Sequence, residues 1–211
     1  MKTTLDLSMQ FKKYHLGCGT IFIKNYLNIG YWHHLNTDTI YVDPCGVKDT
    51  FLLNHDLVNG IPAKDESLEV IYHSHLLEHL SYTEGIQFIE ECFKKLAPGG
   101  LMRIVVPDLE LWAENYVNKK QFFFDKYREV LAPNESLYQT NCSVFMGMLH
   151  NHGHKCGYDY ETLRWLLDRV GFDRIKRTLV QESDLPDIKE VEPYTAMKAM
   201  ESLCVECYKP F

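Results

Sequence analysis

Three groups of residues combine types and spacings that could do chemistry. The first is Leu16-Gly17-Cys18-Gly19-Thr20. Glycines there let a ligand approach the backbone where a Cβ would collide; a plain tight turn is the simpler use of the same residues. A dinucleotide fingerprint needs a third glycine three residues on, and Phe22 stands in that place, so a nicotinamide-cofactor reading fails. The second group is acidic. Asp43 closes an apolar run and could accept from two ribose hydroxyls, although Asp43-Pro44 is also a common turn starter. Asp56, in Asn54-His55-Asp56-Leu57, could accept from an exocyclic adenine amine; the plainer role is a solvated loop acid.

The third group is histidine-rich. His73-Ser74-His75-Leu76-Leu77-Glu78-His79 places His75 and His79 four residues apart with Glu78 between them. The order is not His-Glu-x-x-His and the spacing fixes no third ligand, so no metal is assigned. His150, His152 and His154, followed by Cys156, alternate along one loop. Such a run is a poor tetrahedral set, and contact with a substrate is the better role. Of these, His154 lies nearest to Tyr158-Asp159-Tyr160, where the chain returns to regular structure, and an imidazole there could accept a proton at neutral pH. His75 is the rival base. Cys204 and Cys207 fall in a strand-like run, where an offset of three puts the thiols on opposite faces, against a zinc knuckle or redox pair.

The elements that must position these residues are short apolar runs alternating with helical periods. Tyr14–Phe22, Thr39–Asp43, Leu68–Tyr72 and Leu101–Val106 are β-branched runs bounded by turn residues, as buried parallel strands are. Tyr26-Leu27-Asn28-Ile29-Gly30 could itself be the second strand; in that case no acid ends it, and Asp43 sits in a later loop. Ile86, Ile89, Phe93 and Leu96 form one helical stripe that Pro98-Gly99-Gly100 ends. Tyr160–Val170 predicts a second helix, with Asp159 as N-cap and Gly171 beyond its end. Leu203–Lys209 is the last strand. Strands alternating with helices predict a doubly wound α/β sheet, whose ligands bind beyond the carboxyl ends of the strands.

Composition narrows the classes. The chain has 211 residues, 22 Lys plus Arg against 29 Asp plus Glu, and a net charge of −7. That length fits one domain, and the acidic balance argues against bulk nucleic-acid binding. No run approaches the roughly 18 apolar residues of a membrane helix. Met1–Tyr14 has no signal-type stretch, and the seven cysteines are scattered, so a cytoplasmic protein with reduced thiols is expected.

Taken in order, Leu16-Gly17-Cys18-Gly19, an acid, His55-Asp56-Leu57, Ile61-Pro62, Asp65-Glu66-Ser67-Leu68-Glu69-Val70-Ile71-Tyr72, His75-Leu76-Leu77-Glu78-His79 and Leu96-Ala97-Pro98-Gly99-Gly100 resemble the class I S-adenosylmethionine-dependent methyltransferases, most closely their small-molecule and saccharide-modifying branch. The resemblance covers residues 14–108 well and the rest loosely. It implies a Rossmann-like, mostly parallel seven-stranded sheet with one antiparallel strand, in a single domain over 1–211. It implies S-adenosylmethionine over Gly17, Cys18 and Gly19, ribose on the acid after the second strand (Asp43), adenine near Asp56 and Leu57, and the methionine portion beside His73 and Ser74. The aromatic-rich segment 107–158 would form a helical cap over the methyl donor. The expected activity is methyl transfer to an oxygen or nitrogen of a small-molecule or saccharide acceptor, with His154 or His75 as base, no membrane span, and a homodimer allowed. A binding module that keeps the fold without the catalysis is the alternative. Departures from the family pattern are His15-Leu16 where an acid is frequent, Ile21 where a third glycine is frequent, Glu69 for Asp and Ala97 for a basic residue.

Overall fold

A computed structural model describes residues 10–131 and 137–211. Expectations resting on residues 1–9, and on 132–136 of the presumed cap, fall outside the described residues. The strands are β1 (Lys13–Leu16), β2 (Leu27–Gly30), β3 (Thr39–Val42), β4 (Phe51–Asn54), β5 (Leu68–Ser74), β6 (Leu96–Pro107), β7 (Asp173–Thr178) and β8 (Ser202–Tyr208). They form one sheet in the order β3-β4-β2-β1-β5-β6-β8-β7. β3 and β8 run against the other six. The sheet thus has eight strands rather than the expected seven, and two of them are antiparallel to the rest. The difference arises between residues 26 and 43, where the sequence offered two alternatives for one strand and both runs form one.

The helices are α1 (Tyr82–Lys95), α2 (Leu109–Val117), α3 (Gln121–Leu131), α4 (Asn141–His150), α5 (Tyr160–Val170) and the short α6 (Ile188–Val191) and α7 (Ala196–Glu201). α1 begins with a capping box, in which Ser81 accepts from the Glu84 amide and Glu84 from the Ser81 amide. It buries Gly85, Phe88, Ile89 and Cys92. α5 has the caps its sequence predicts: Asp159 accepts from the Thr162 amide, and Gly171 adopts φ 109°. These two helices cover one face of the sheet, packing Ile89, Leu163 and Leu167 on Leu16, Ile71 and Ile104. The connection from β7 to β8 covers the other face with Leu185, Ile188 and Val191. Cys204 belongs to the second face and Cys207 to the first, as strand alternation requires, and all seven cysteines are free.

Arg103, on β6, secures that second covering. Its guanidinium binds Glu192 through Nε at 2.7 Å and Nη2 at 3.1 Å, and Glu206 through Nη1 at 3.1 Å. It also donates to the carbonyls of Leu179 and Glu182. All three charged side chains are fully buried. Their bidentate, multiply hydrogen-bonded geometry is what permits charges in a dry interior.

No α-helix joins β1 to β2 or β2 to β4; a single 3-10 turn, Pro44–Gly46, lies between β3 and β4. A parallel connection usually needs a crossover helix, which satisfies its own backbone groups. Here two fully buried asparagines do that work. Asn28 Oδ1 accepts from the Ile23 amide at 2.8 Å and from His15 Nδ1 at 3.0 Å. Its Nδ2 donates to the carbonyls of Ile23 and Phe51, each at 3.0 Å. Asn54 accepts from the Trp32 amide at 2.7 Å and donates to the carbonyls of Trp32, Leu35 and Asn36. Asn28→Asp keeps the acceptors and sets a carboxylate against carbonyl oxygens. It is expected to lower unfolding stability at pH 7 by about 3 kcal/mol or more. Urea denaturation measures this, and a loss below about 1 kcal/mol would show that the helix-free connection is held by other contacts.

Candidate functional site

β1 lies where the strand order turns back on itself, with β2 on one side and β5 on the other. Crevices beyond the carboxyl ends of strands at such a point are where open α/β sheets bind ligands. Gly17 leaves β1 with φ 66° and Gly19 follows with φ 49°, both left-handed. The Cys18 amide donates to the Ile29 carbonyl at 2.9 Å, so the turn is tied to β2. A Cβ on Gly17 would come 2.8 Å from Leu76 Cδ1. The left-handed φ and this close approach to Leu76 both favour glycine at 17 independently of any ligand. Burial pushes the Cys18 thiol up to about 12, which leaves it unreactive at neutral pH.

Two cavities meet at Gly17. The larger, about 390 Å³, is lined by Gly30 and Tyr31 after β2, Asp56 and Leu57 after β4, Ile61, and Leu76 after β5. Its volume and mostly apolar wall match small-molecule sites. His55 fixes its rim, with Nδ1 2.6 Å from Asp38 Oδ1 and Nε2 donating to the Gly60 carbonyl at 2.9 Å. Asp56 accepts from the Val58 amide at the start of a single 3-10 turn, Leu57–Asn59. The second cavity, about 290 Å³, is lined by Cys18, Gly19, Ser74, His75, His15 and Lys198. Burial pulls the Lys198 ammonium below its ordinary range. Neither cavity is lined by residues of α2, α3 or α4. Among the described residues, those helices pack on one another around Trp112, Phe124 and Met148 as a satellite core.

Gly17, Cys18, Gly19, Asp56, Leu57 and Ser74 are thus brought together. Asp43 and His73 are not. β3 is antiparallel to its neighbour, and Val42 pairs with Phe51 at the start of β4. Asp43 is therefore carried to the amino ends of the parallel strands, opposite Gly17. There it accepts from the Asp49 amide at 2.7 Å, as a turn residue. β2 ends at Gly30 and is followed by Tyr31, not by an acid. The His73 ring turns into the helix-covered face, 5.3 Å from Phe88 and fully buried, and neither of its nitrogens has a hydrogen-bond partner.

A polar cluster lies beyond β5. His75, held at φ 52°, sets Nδ1 3.1 Å from Glu78 Oε1 and Nε2 3.5 Å from Ser202 Oγ. His154 Nδ1 donates to the Met148 carbonyl at 2.6 Å, and its ring meets that of His79 edge to face at 4.8 Å. His150 and His152 are exposed. Glu201 joins the cluster from the end of α7; burial pushes its carboxyl up to about 7, against the pull of His75 and Tyr127. Sequence reasoning missed Glu201 and Lys198, since neither belongs to a motif and only the β7–β8 excursion delivers them.

No family model matches the chain, and no curated protein matches it in sequence. Solved structures do match in fold. A SAM-dependent methyltransferase from Archaeoglobus fulgidus aligns over 97% of this chain and 91% of its own, with TM-score 0.54 and 13% identity. A SAM-dependent methyltransferase from Thermotoga maritima, described as a possible histamine N-methyltransferase, aligns over 98% and 87% with TM-score 0.53 and 17% identity. Haemonchus contortus phosphoethanolamine N-methyltransferase 2, in complex with phosphomonomethylethanolamine and S-adenosylhomocysteine, aligns over 100% and 50% with TM-score 0.50 and 10% identity. At these identities the likeness is one of fold. Among the described residues, no helix is long and apolar enough to cross a membrane.

The buried histidines give a pH prediction. Burial lowers His15 to about 4 and His73 to about 3. The unfolded chain takes up these protons near the ordinary value of about 6.5, and the folded chain does not. Stability is therefore complete above about pH 6.5 and lost as pH falls toward 4. His73→Leu removes one of the two titrations and an unsatisfied ring. Its stability should fall less between pH 7 and pH 4.5 than that of the wild type, by about 2–3 kcal/mol in urea unfolding. Parallel loss in both proteins would show that His73 does not carry the slope.

Proposed function

We propose that the chain is a methyltransferase that binds S-adenosylmethionine across Gly17 and methylates an oxygen, or a nitrogen, of a small molecule, with a saccharide precursor as the favoured class. The observation that carries this reading is the pair of cavities joined at Gly17 at the switch point of a methyltransferase-like sheet. The larger, apolar cavity suits adenosine, with Asp56 able to accept from the adenine amine. The smaller one suits the amino-acid end, where Lys198 supplies a cation for a carboxylate. The left-handed Gly17-Cys18-Gly19 turn leaves backbone exposed between them. With β2 ending in no acid, ribose recognition falls to the rim around Tyr31 and His55 rather than to Asp43.

When bound, S-adenosylmethionine supplies a methyl on a sulfonium; the acceptor's electron pair forms the new bond, the carbon–sulfur pair stays on sulfur, and the acceptor's proton must leave. The protein's part is alignment and removal of that proton. His75 borders the second cavity with Nδ1 3.1 Å from Glu78 Oε1, and its Nε2 is the nitrogen that would accept the proton. His154 stands across Glu78 from it and faces the acceptor side. A binding module that retains the fold is the competing reading. The missing acid after β2 is the observation in its favour, and turnover separates the two.

In calorimetry, S-adenosylmethionine or S-adenosylhomocysteine is expected to bind in the micromolar range, about −8 kcal/mol. Asp56→Ala should weaken binding by roughly 1.5–3 kcal/mol and Asp43→Ala should leave it unchanged. The reverse order would return the ribose to Asp43. With a true hydroxyl acceptor, found by a mass-spectrometric screen of sugars and nucleotide sugars, His75→Ala should reduce turnover on the order of a hundredfold, far beyond any change in cofactor affinity. Full turnover in that variant would move the proton-accepting role elsewhere.

A further inference from the structure

Glu78, His79 and His154 offer three ligand atoms that all lie within 4.8 Å of one another. The sequence spacing of His75 and His79 does not suggest this set, because the third ligand arrives from a loop 75 residues away. We propose that these three residues bind a divalent transition-metal ion, in the zinc, manganese or iron(II) class, through two imidazoles and one carboxylate.

Four observations carry the assignment. First, Glu78 is 1% exposed, and neither of its carboxylate oxygens has a hydrogen-bond partner. A buried carboxylate needs a cation or donors on each oxygen, and His75 Nδ1, 3.1 Å from Oε1, makes no hydrogen bond to it. Second, the carbonyl of Met148 can only accept, so His154 carries its proton on Nδ1 and presents a bare Nε2 lone pair. A backbone carbonyl holding the far ring nitrogen is the usual support of a metal-bound histidine. Third, the two segments are locked together before any ion arrives. The amides of Lys155 and Cys156 donate to the Glu78 carbonyl at 2.8 and 3.3 Å. Fourth, the rings of His79 and His154 are only partly buried. With His154 held by Met148, the His79 ring can turn to close the gap to the roughly 2.0–2.2 Å bonds such an ion requires.

Two imidazoles and one carboxylate leave coordination positions open, the mark of a working rather than a structural site. Glu78 also contacts His75, so the ion would lie on the acceptor side of the cofactor cavities. There it would draw a coordinated hydroxyl of the acceptor toward deprotonation, with His75 taking the proton. This last role rests on the methyl-transfer reading; the binding of metal does not.

The test uses tag-free full-length protein, stripped with a chelator and titrated with Co²⁺, whose visible absorption reports imidazole and carboxylate ligation, followed by displacement with Zn²⁺. One equivalent is expected to bind the wild type. His154→Ala and Glu78→Gln should each weaken it by more than about a hundredfold, beyond what losing a residue that merely orients a ligand does. His150→Ala, at the exposed end of α4, should match the wild type. No uptake by the wild type, or equal uptake by His154→Ala, would overturn the proposal. Calorimetry with S-adenosylhomocysteine on the same proteins separates the two readings. Cofactor binding without metal defeats the metal site alone, and metal without cofactor defeats the methyl-transfer reading alone.

Discussion

The arrangement depends on Asn28. One carboxamide, fully buried in a four-residue strand, satisfies both backbone groups of Ile23, a carbonyl of Phe51 and the ring of His15. Without it, ten residues could not pass from β1 to β2 without a helix and leave their polar groups paired. Asn54 repeats the device one strand further out, tying Trp32, Leu35 and Asn36. The two side chains replace the crossover helices that normally flank this side of a doubly wound sheet. Each satisfies several groups at once, and losing either would expose more than one unsatisfied donor or acceptor.

The consequences run outward to the site. Because the β1–β2 connection is pinned at Ile23 and Asn28, Gly17 and Cys18 take a fixed turn against Ile29. Because the β2–β3 connection is pinned at Asn54, Tyr31 and His55 hold the rim of the larger cavity. The opposite face, without helices from the first half of the chain, is covered by the β7–β8 excursion, and the buried Arg103–Glu192–Glu206 network anchors it. That excursion carries Lys198 and Glu201 to the second cavity and the polar cluster. A sheet face left open near the amino end of the sequence is thus closed by its carboxyl end, and the site is completed from both.

Much of this was legible in the sequence where the signals are local. The caps of α5 are Asp159 and Gly171, and β5 and β6 are runs of buried branched residues between turn signals. The Gly17 turn follows β1 as expected. The strand misassignment has a physical cause. β2 is buried on both faces and contains Asn28, a poor strand former whose value lies in its partners. β3, Thr39-Ile40-Tyr41-Val42, has the stronger strand propensity, yet it is a half-exposed edge strand. Propensity favours the second run and packing the first, and the acid on which the resemblance puts the ribose, Asp43, lies at the end of the run that propensity favours. His154 is legible in the sequence only as a histidine just before Tyr158, where the chain returns to regular structure. Its approach to Glu78 and His79 depends on the Lys155 and Cys156 amides, which no spacing rule encodes.

The central claim is that the cavities meeting at Gly17 are one cofactor site. A crystal structure of the protein with S-adenosylhomocysteine tests it most directly. The adenine is expected between Leu57 and Ile61, the sulfur beside Gly17 facing His75, and the amino-acid end toward Lys198. Density for the ligand at any other place, or its ribose bonded to Asp43, would contradict it.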